Sequence, residues 1–271
     1  MKFRLKKRII FFIPVFIFGG ASESIFKLSK FLKKHNYSIL IISFGKNSFK
    51  KEFKKINCDV LEINSSRAIF SIFKIRKKII EEIKKNYYKT IFISNIHYAN
   101  IISFFSLIGL KRVKVILTER SSISELINNN NLIKRFKNII IYVFAKFLYR
   151  FADLIITNSN YEKEYIQKKF SVKNIICIHP PSIDKINKQI NRNNLPAKKI
   201  NIIFVGRLSR EKGIIFILKA LNELNTTIQY KLNIYGNGPD KEIIRDFISL
   251  NKLKDKVFLM GQEKNKIKIF K

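Results

Sequence analysis

With 271 residues, 46% of them hydrophobic, the chain is long enough to bury the cores of two modest α/β domains and too apolar for a disordered tail. Its 54 Lys and Arg against 19 Asp and Glu give a formal charge of +35, which favours an anionic partner: nucleic acid, a membrane surface or a phosphorylated substrate. The basic residues are scattered among Asn, Ile and Phe rather than gathered into an arm, which sets a solvated face above a nucleic-acid surface and still leaves attraction to an anionic leaflet.

The first apolar run, Ile9 to Phe18, follows Lys2, Arg4, Lys6, Lys7 and Arg8 and precedes Gly19, Gly20, Ala21 and Ser22. That layout fits a secretory signal peptide, and it equally fits a buried strand ending in a glycine turn. Next, Ile25, Phe26, Leu28, Phe31 and Leu32 recur near helical spacing, with Ser22 or Ser24 as a candidate cap. YSILIISFG is then a second strand, closing a βαβ unit that needs the first run as its opening strand. The signal-peptide reading loses weight accordingly.

Strand-like runs continue at CDVLEI, TIFISN, VKVILTE, ADLIITNS and IICIHP, with helical patterns at 66–85, 98–109, 132–151 and 160–169. This alternation predicts a parallel sheet of about seven strands, covered on both faces, over residues 1–184. IIIYVFAKFLYRFADLIIT comes nearest to a membrane span, but Lys146, Arg150 and Asp153 interrupt it, so it reads as an amphipathic helix followed by a strand. Cys58 and Cys177 lack zinc or CxxC spacing and are expected as buried free thiols. The polar, Asn- and Lys-rich stretch 185–199 reads as a linker. Alternation restarts over 200–271 with NIIFVGRL, YKLNIYGNG and KVFLMGQ as strands and EKGIIFILKALNEL and PDKEIIRDFISLNKL as helices.

Open parallel sheets bind ligands beyond the carboxyl ends of their strands, where helix N-termini favour anions. Three loops lie at such ends. FGGASE carries Gly19 and Gly20, which either let a ligand approach the backbone or simply make a turn. FVGRLSREKG carries Gly206, Arg207, Lys212 and Gly213. An Arg and a Lys beside a helix start suit a diphosphate clamp, against the plainer reading of two solvated cations. IYGNGPDKE carries Gly236 and Gly238 ahead of Pro239 and Asp240.

Taken together these stretches resemble the group 1 (family 4) retaining glycosyltransferases. FVGRLSREKG is similar to their donor motif, YGNGPDKE to their G-x-GP turn, and GGASESIFKLSKF and ADLIITNSNYEKEYI to passages of their N-terminal half. The resemblance implies a GT-B-like α/β fold of two Rossmann-like domains. It implies sugar transfer from a nucleotide-sugar to a glycan or lipid-linked acceptor, of surface-polysaccharide type, in the cytoplasm or at the inner face of a membrane.

Residue by residue, it implies that Arg207 and Lys212, with Gly206, Gly236 and Gly238, hold the donor diphosphate, and that Gly19 and Gly20 line the cleft loop. It places His97 and Glu119 on the acceptor side as catalytic candidates, Glu119 as proton acceptor or as half of a structural ion pair. It requires no cofactor and no metal, and nucleic acid is not an expected partner. The family's Glu-x7-Glu element would fall beyond Lys271. The second domain is therefore expected to be incomplete and activity impaired, the alternative being a non-catalytic half that works with a separate chain.

Overall fold

The computed structural model describes residues 7–16, 19–45, 47–64, 68–85, 89–127, 132–180, 199–224, 229–263 and 269. The chain divides into two compact units, Met1–Lys185 and Ile186–Lys271. The expected linker 185–199 lies outside the described residues except for Lys199, which opens a strand.

The first unit is a doubly wound α/β sheet. Its strands are β1 (Arg8–Phe12), β2 (Ser38–Phe44), β3 (Asp59–Ile63), β4 (Thr90–Asn95), β5 (Val113–Glu119), β6 (Leu154–Thr157) and β7 (Ile175–Cys177). All pair in parallel, in the order β3-β2-β1-β4-β5-β6-β7. The helices are α1 (Gly20–Lys34), α2 (Lys50–Lys55), α3 (Ala68–Lys84), α4 (His97–Leu107), α5 (Leu132–Leu148) and α6 (Asn160–Phe170). The first apolar run supplies β1, paired on both edges and buried at every position.

Two-residue alternation splits the strand side chains between two cores. Ile10, Phe12, Leu40 and Ile42 pack with Ile75 and Ile79 of α3 and with Ala99 and Ile102 of α4. Ile9, Phe11, Ile39 and Ile41 pack on the other face with Ile25 of α1 and Phe53 of α2. Beyond β4, Leu117 and Ile155 meet Ala145 and Tyr149 of the α5 segment and Ile166 and Phe170 of α6.

Arg8 is not a solvated basic flank. Its guanidinium is buried at the amino end of the sheet, 2.8 Å from Asp59 and 2.7 Å from Glu82, and donates to the Ser38 hydroxyl at 2.6 Å. A buried cation is tolerated only with such partners. Two further expectations are corrected. Helix α1 begins at Gly20, so Ser22 and Ser24 sit inside it and cap nothing. Cys58 is buried as expected, but Cys177 at the end of β7 is only half-buried, its Sγ 3.8 Å from His179 Nε2.

The second unit carries β8 (Lys199–Val205), α7 (Ile214–Glu223), β9 (Gln229–Tyr235), α8 (Lys241–Leu250) and β10 (Val257–Gly261). Its parallel strands run β10-β9-β8 in a sheet separate from the first. Leu232 and Ile234 pack with Ile214 and Leu218 of α7 and Ile244 and Ile248 of α8. Ile203, Val205 and Met260 are exposed.

Candidate functional site

In the first unit β1 leads to β2 on one side, whereas β4 leads to β5 on the other, so the topological switch point lies between β1 and β4. Open α/β sheets bind ligands beyond the carboxyl ends of strands at such a point. Asn95, the last residue of β4, ties the two strands together there. Its Nδ2 donates to the Phe12 carbonyl at 3.2 Å, and its Oδ1 accepts from Thr118 Oγ1 at 2.8 Å and Arg120 Nε at 2.9 Å.

The chain then turns into α4 through Ile96, at φ +79°. A β-branched residue in that region stores backbone strain of about 1–3 kcal/mol, which persists only where the surroundings enforce it. The Ile96 amide donates to the Thr118 carbonyl at 3.0 Å, and its carbonyl accepts from the Asn100 amide at 3.0 Å. The strained turn delivers His97 as the first residue of α4.

His97 faces Glu119, the last residue of β5. Its Nδ1 is 3.6 Å from Glu119 Oε2, beyond hydrogen-bond length and within Coulombic reach. The Glu119 side chain is 0% exposed and that of His97 18%. Glu119 Oε1 accepts from Asn100 Nδ2 at 2.8 Å and from the Tyr149 hydroxyl in a short bond. Burial, the Glu119 charge and its hydrogen bond hold the Tyr149 phenol neutral, well above its ordinary pKa. Arg120 is half-buried, which lowers its guanidinium from its ordinary value, and among the described residues no carboxylate ion-pairs with it. Glu119 thus turns to His97, Asn100 and Tyr149, and Arg120 to Asn95.

The remaining loops at this end of the sheet are also tied. Asn158 donates to the Arg120 carbonyl at 2.9 Å, and Glu162 accepts from the Ile123 amide at 2.8 Å and the Ser122 hydroxyl at 3.0 Å. Burial raises the Glu162 pKa despite those bonds. At Gly19 and Gly20, which start α1 after β1, an added Cβ would meet nothing within 4 Å. Gly19 is extended at φ 164°, a conformation open to any residue. Among the described residues nothing demands glycine there.

In the second unit β8 ends at Val205, and Gly206 to Gly213 lead into α7. Ser209 Oγ donates to Glu211 Oε1 at 2.6 Å. The Glu211 pKa is lowered, first by that bond, then by a backbone amide, and further by the charges of Arg207 and Lys212. Both cations are exposed and near one carboxylate, and neither has a side-chain hydrogen bond or ion pair among the described residues. Gly213, at φ +69°, sets the entry into α7. Gly236 and Gly238 have an internal reason to be glycine. A Cβ at Gly236 would stand 1.8 Å from the Gly206 carbonyl oxygen, and one at Gly238 would stand 2.1 Å from that of Leu208. They let the loop after β9 lie against the loop after β8.

The structure thus brings His97 and Glu119 together at the switch point, and Arg207 and Lys212 together beside Glu211. Asn95, Asn100, Tyr149 and the strained Ile96 were not singled out in the sequence. Asn100 follows His97 by one helical turn, a readable signal; Tyr149 lies 30 residues from Glu119, and no local pattern announces it. Among the described residues no group of three or more His, Cys, Asp or Glu is placed to hold a metal ion.

Two parallel α/β units, each with its chemistry-bearing side chains beyond the carboxyl ends of the strands, define a protein of the GT-B-like class. The family profiles agree: residues 18–185 match Glycosyltransferase Family 4 and residues 185–271 match Glycosyl transferases group 1. The chain belongs to glycosyltransferase family 4. It is 30% identical over 258 residues to an uncharacterized glycosyltransferase of Methanocaldococcus jannaschii, covering 87% of this chain and 61% of that protein. It is 25% identical over 268 residues to a Campylobacter jejuni alpha-1,4-N-acetyl-D-galactosaminyltransferase named for a diphospho-undecaprenol-linked acceptor, covering 95% of this chain and 68% of that one.

Among solved structures, a glycosyltransferase from Rickettsia africae superposes with a TM-score of 0.68 at 19% identity, covering 98% of this chain and 70% of that chain. Anabaena HepE in complex with UDP-glucose superposes with a TM-score of 0.69 at 17% identity, covering 94% and 69%. These likenesses establish the fold.

Proposed function

We propose that the protein moves a sugar from a nucleotide-sugar donor to a glycan or lipid-linked acceptor. The observation that carries this reading is the loop Gly206–Gly213, which holds two exposed cations, without ion-pair partners among the described residues, beside the start of α7. A guanidinium gives a diphosphate bidentate contacts, an ammonium gives a point charge, and the helix N-terminus adds its partial positive charge. The same cations offset the charge that develops on the leaving nucleoside diphosphate, so in this reading Arg207 and Lys212 do the work without a cofactor or metal. The UDP-glucose complex of HepE and the lipid-linked acceptor named for the Campylobacter relative favour this donor and acceptor class. Residues 1–184 then serve the acceptor and residues 200–271 the donor.

On the acceptor side His97 is the partly exposed member of its pair, and it is the group we assign to the acceptor hydroxyl. Glu119, enclosed behind it, positions His97. Direct proton transfer from acceptor to Glu119 is set aside because the carboxylate has no exposed surface. Gly19 and Gly20, whose missing side chains would meet nothing among the described residues, leave room for donor or acceptor to approach the start of α1. Among the described residues no helix is long and apolar enough to cross a membrane. We place the work at the inner face of a membrane, where the positive charge supports peripheral attraction.

Calorimetric titration with UDP tests the donor side. One charge-assisted contact of roughly 1.5–3 kcal/mol makes Arg207→Ala about tenfold weaker or more. Lys254→Ala, an exposed cation before β10, should change affinity less than about twofold because solvent and salt screen it. Equal losses from both, or no UDP binding by the unaltered chain, would overturn the assignment.

A further inference from the structure

Helix α5 carries an apolar stripe that the fold does not use. Ala145 and Leu148 on one side of it are buried against the sheet with Tyr149, and Ile141 and Tyr142 pack on that core. On another side Phe136, Ile140, Val143, Phe147 and Phe151 follow one another at spacings of three and four residues, each between 42 and 68% exposed. This is the period of a single helical face. The stripe continues onto α4: the Phe105 ring lies 5.9 Å from that of Phe144, Phe104 lies 5.9 Å from Phe151, and Ile108 beside them is exposed. Isolated exposed apolar residues are ordinary, whereas a contiguous patch rimmed by polar groups marks an interaction surface.

The rim is basic. Arg135, Lys137, Lys146 and Arg150 are exposed along α5 and its end, and Arg150 lies over the Phe147 ring at 5.7 Å. Residues 97–118 and 132–152 contain no Asp or Glu. From its seventeen residues α5 spans about 26 Å, and it carries too many charges to cross a bilayer. An apolar face edged by cations is the layout of a helix lying in the plane of a membrane interface. A second copy is a poor occupant, because a two-fold contact through this stripe would bring the same cations together with no acid to offset them.

We propose that the α5 stripe, extended by α4, docks the protein onto an anionic lipid bilayer, with the Phe side chains in the acyl boundary and the flanking Lys and Arg at the headgroups. Its value to the enzyme rests on the lipid-linked acceptor proposed above, since docking would hold the first unit on the surface that carries such a substrate. Binding itself is read without turnover, so failure of one proposal is distinguishable from failure of the other.

The test is sedimentation of the full chain with vesicles of phosphatidylcholine alone or with roughly one-third phosphatidylglycerol. Because any strongly basic protein is drawn to anionic vesicles, the informative variant keeps the charge. Phe136→Ser with Phe147→Ser should weaken binding to the anionic vesicles by at least ~10-fold. Phe147→Trp introduces the chain's sole tryptophan, and brominated acyl chains should quench its fluorescence. Unchanged binding after the two serine substitutions, or an unquenched tryptophan on bound protein, would reduce the attraction to diffuse lysine charge and overturn the proposal. A concentration-dependent dimer abolished by the serine substitutions, with no vesicle binding, would assign the stripe to a second copy instead.

Discussion

Removing the Glu119 carboxylate gives the sharpest test of the buried network behind His97. Its Oε1 takes two buried donors, the Tyr149 hydroxyl and the Asn100 amide. Glu119→Ala removes both bonds in a place water does not reach; it leaves the Tyr149 proton without an acceptor, whereas Asn100 Nδ2 keeps the Thr118 carbonyl at 3.3 Å and the Tyr149 oxygen at 3.0 Å. At roughly 1.5–3 kcal/mol for each charge-assisted bond, the loss should be about 3–5 kcal/mol. Tyr149→Phe removes the bond to Glu119 and the weaker one that the hydroxyl accepts from Asn100 Nδ2 at 3.0 Å, and keeps the ring that packs against Phe170, so about 1.5–3 kcal/mol is expected. Because the two substitutions delete the same contact, the double variant should cost less than their sum by about 1–2 kcal/mol.

The pH dependence follows from the raised Tyr149 pKa. The folded chain keeps the phenolic proton where the unfolded chain has lost it. The stabilisation is therefore complete below the ordinary value of 10.0 and declines as pH rises above it toward the folded value. Tyr149→Phe should remove that alkaline decline. Urea unfolding followed by far-UV circular dichroism gives the free energies, and hydrogen exchange at the amides of α4 and β5 assigns the transition to the first unit. A Tyr149→Phe loss under ~0.5 kcal/mol, or additivity within that margin, would refute the coupling.

The glycines separate by the same logic of space. Gly236→Ala drives a Cβ to 1.8 Å from the Gly206 carbonyl oxygen and should cost the second unit at least ~1–3 kcal/mol, lowering exchange protection in β8 and β9. Gly19→Ala enters open space and should leave stability within ~0.5 kcal/mol, so any fall in transferase activity would report on ligand approach; marked unfolding would contradict the open geometry. The two thiols should differ in reactivity. Burial pushes the Cys58 thiol up to about 11, so at pH 8 an aromatic disulfide reagent should label one thiol per folded chain promptly, Cys177, and the second only on unfolding; two fast thiols would show that Cys58 is not enclosed.

The strands were legible because parallel strands buried on both faces leave continuous apolar runs: each of the ten described strands overlaps a stretch read as a strand, with β1 and β9 starting one residue and β8 two residues before it. Helix α2 was not legible. KKEFKK has one apolar residue, and what holds it is Phe53 packing against Phe49 just before the helix and against Phe16 and Phe26 from other segments. The charge of the first residues misled for a related reason. In the sequence Arg8 is one of five cations before an apolar run, and only the arrival of Asp59 and Glu82 from β3 and α3 makes it a buried ion-pair partner.

The site was legible as loops and only partly as chemistry. Glycine patterns locate strand-to-helix turns, and they located all three here, but the letter alone does not say what the missing side chain makes room for. At Gly236 and Gly238 the space is filled by backbone from the loop after β8, so their first duty is to the fold. At Gly19 and Gly20 nothing fills it. A residue type without an internal need for its own smallness is where an external partner has to supply the reason. By that criterion the weakest of the three sequence signals, the paired glycines after β1, is the one the described fold explains least, and it is there that the proposed approach of donor or acceptor has most to explain.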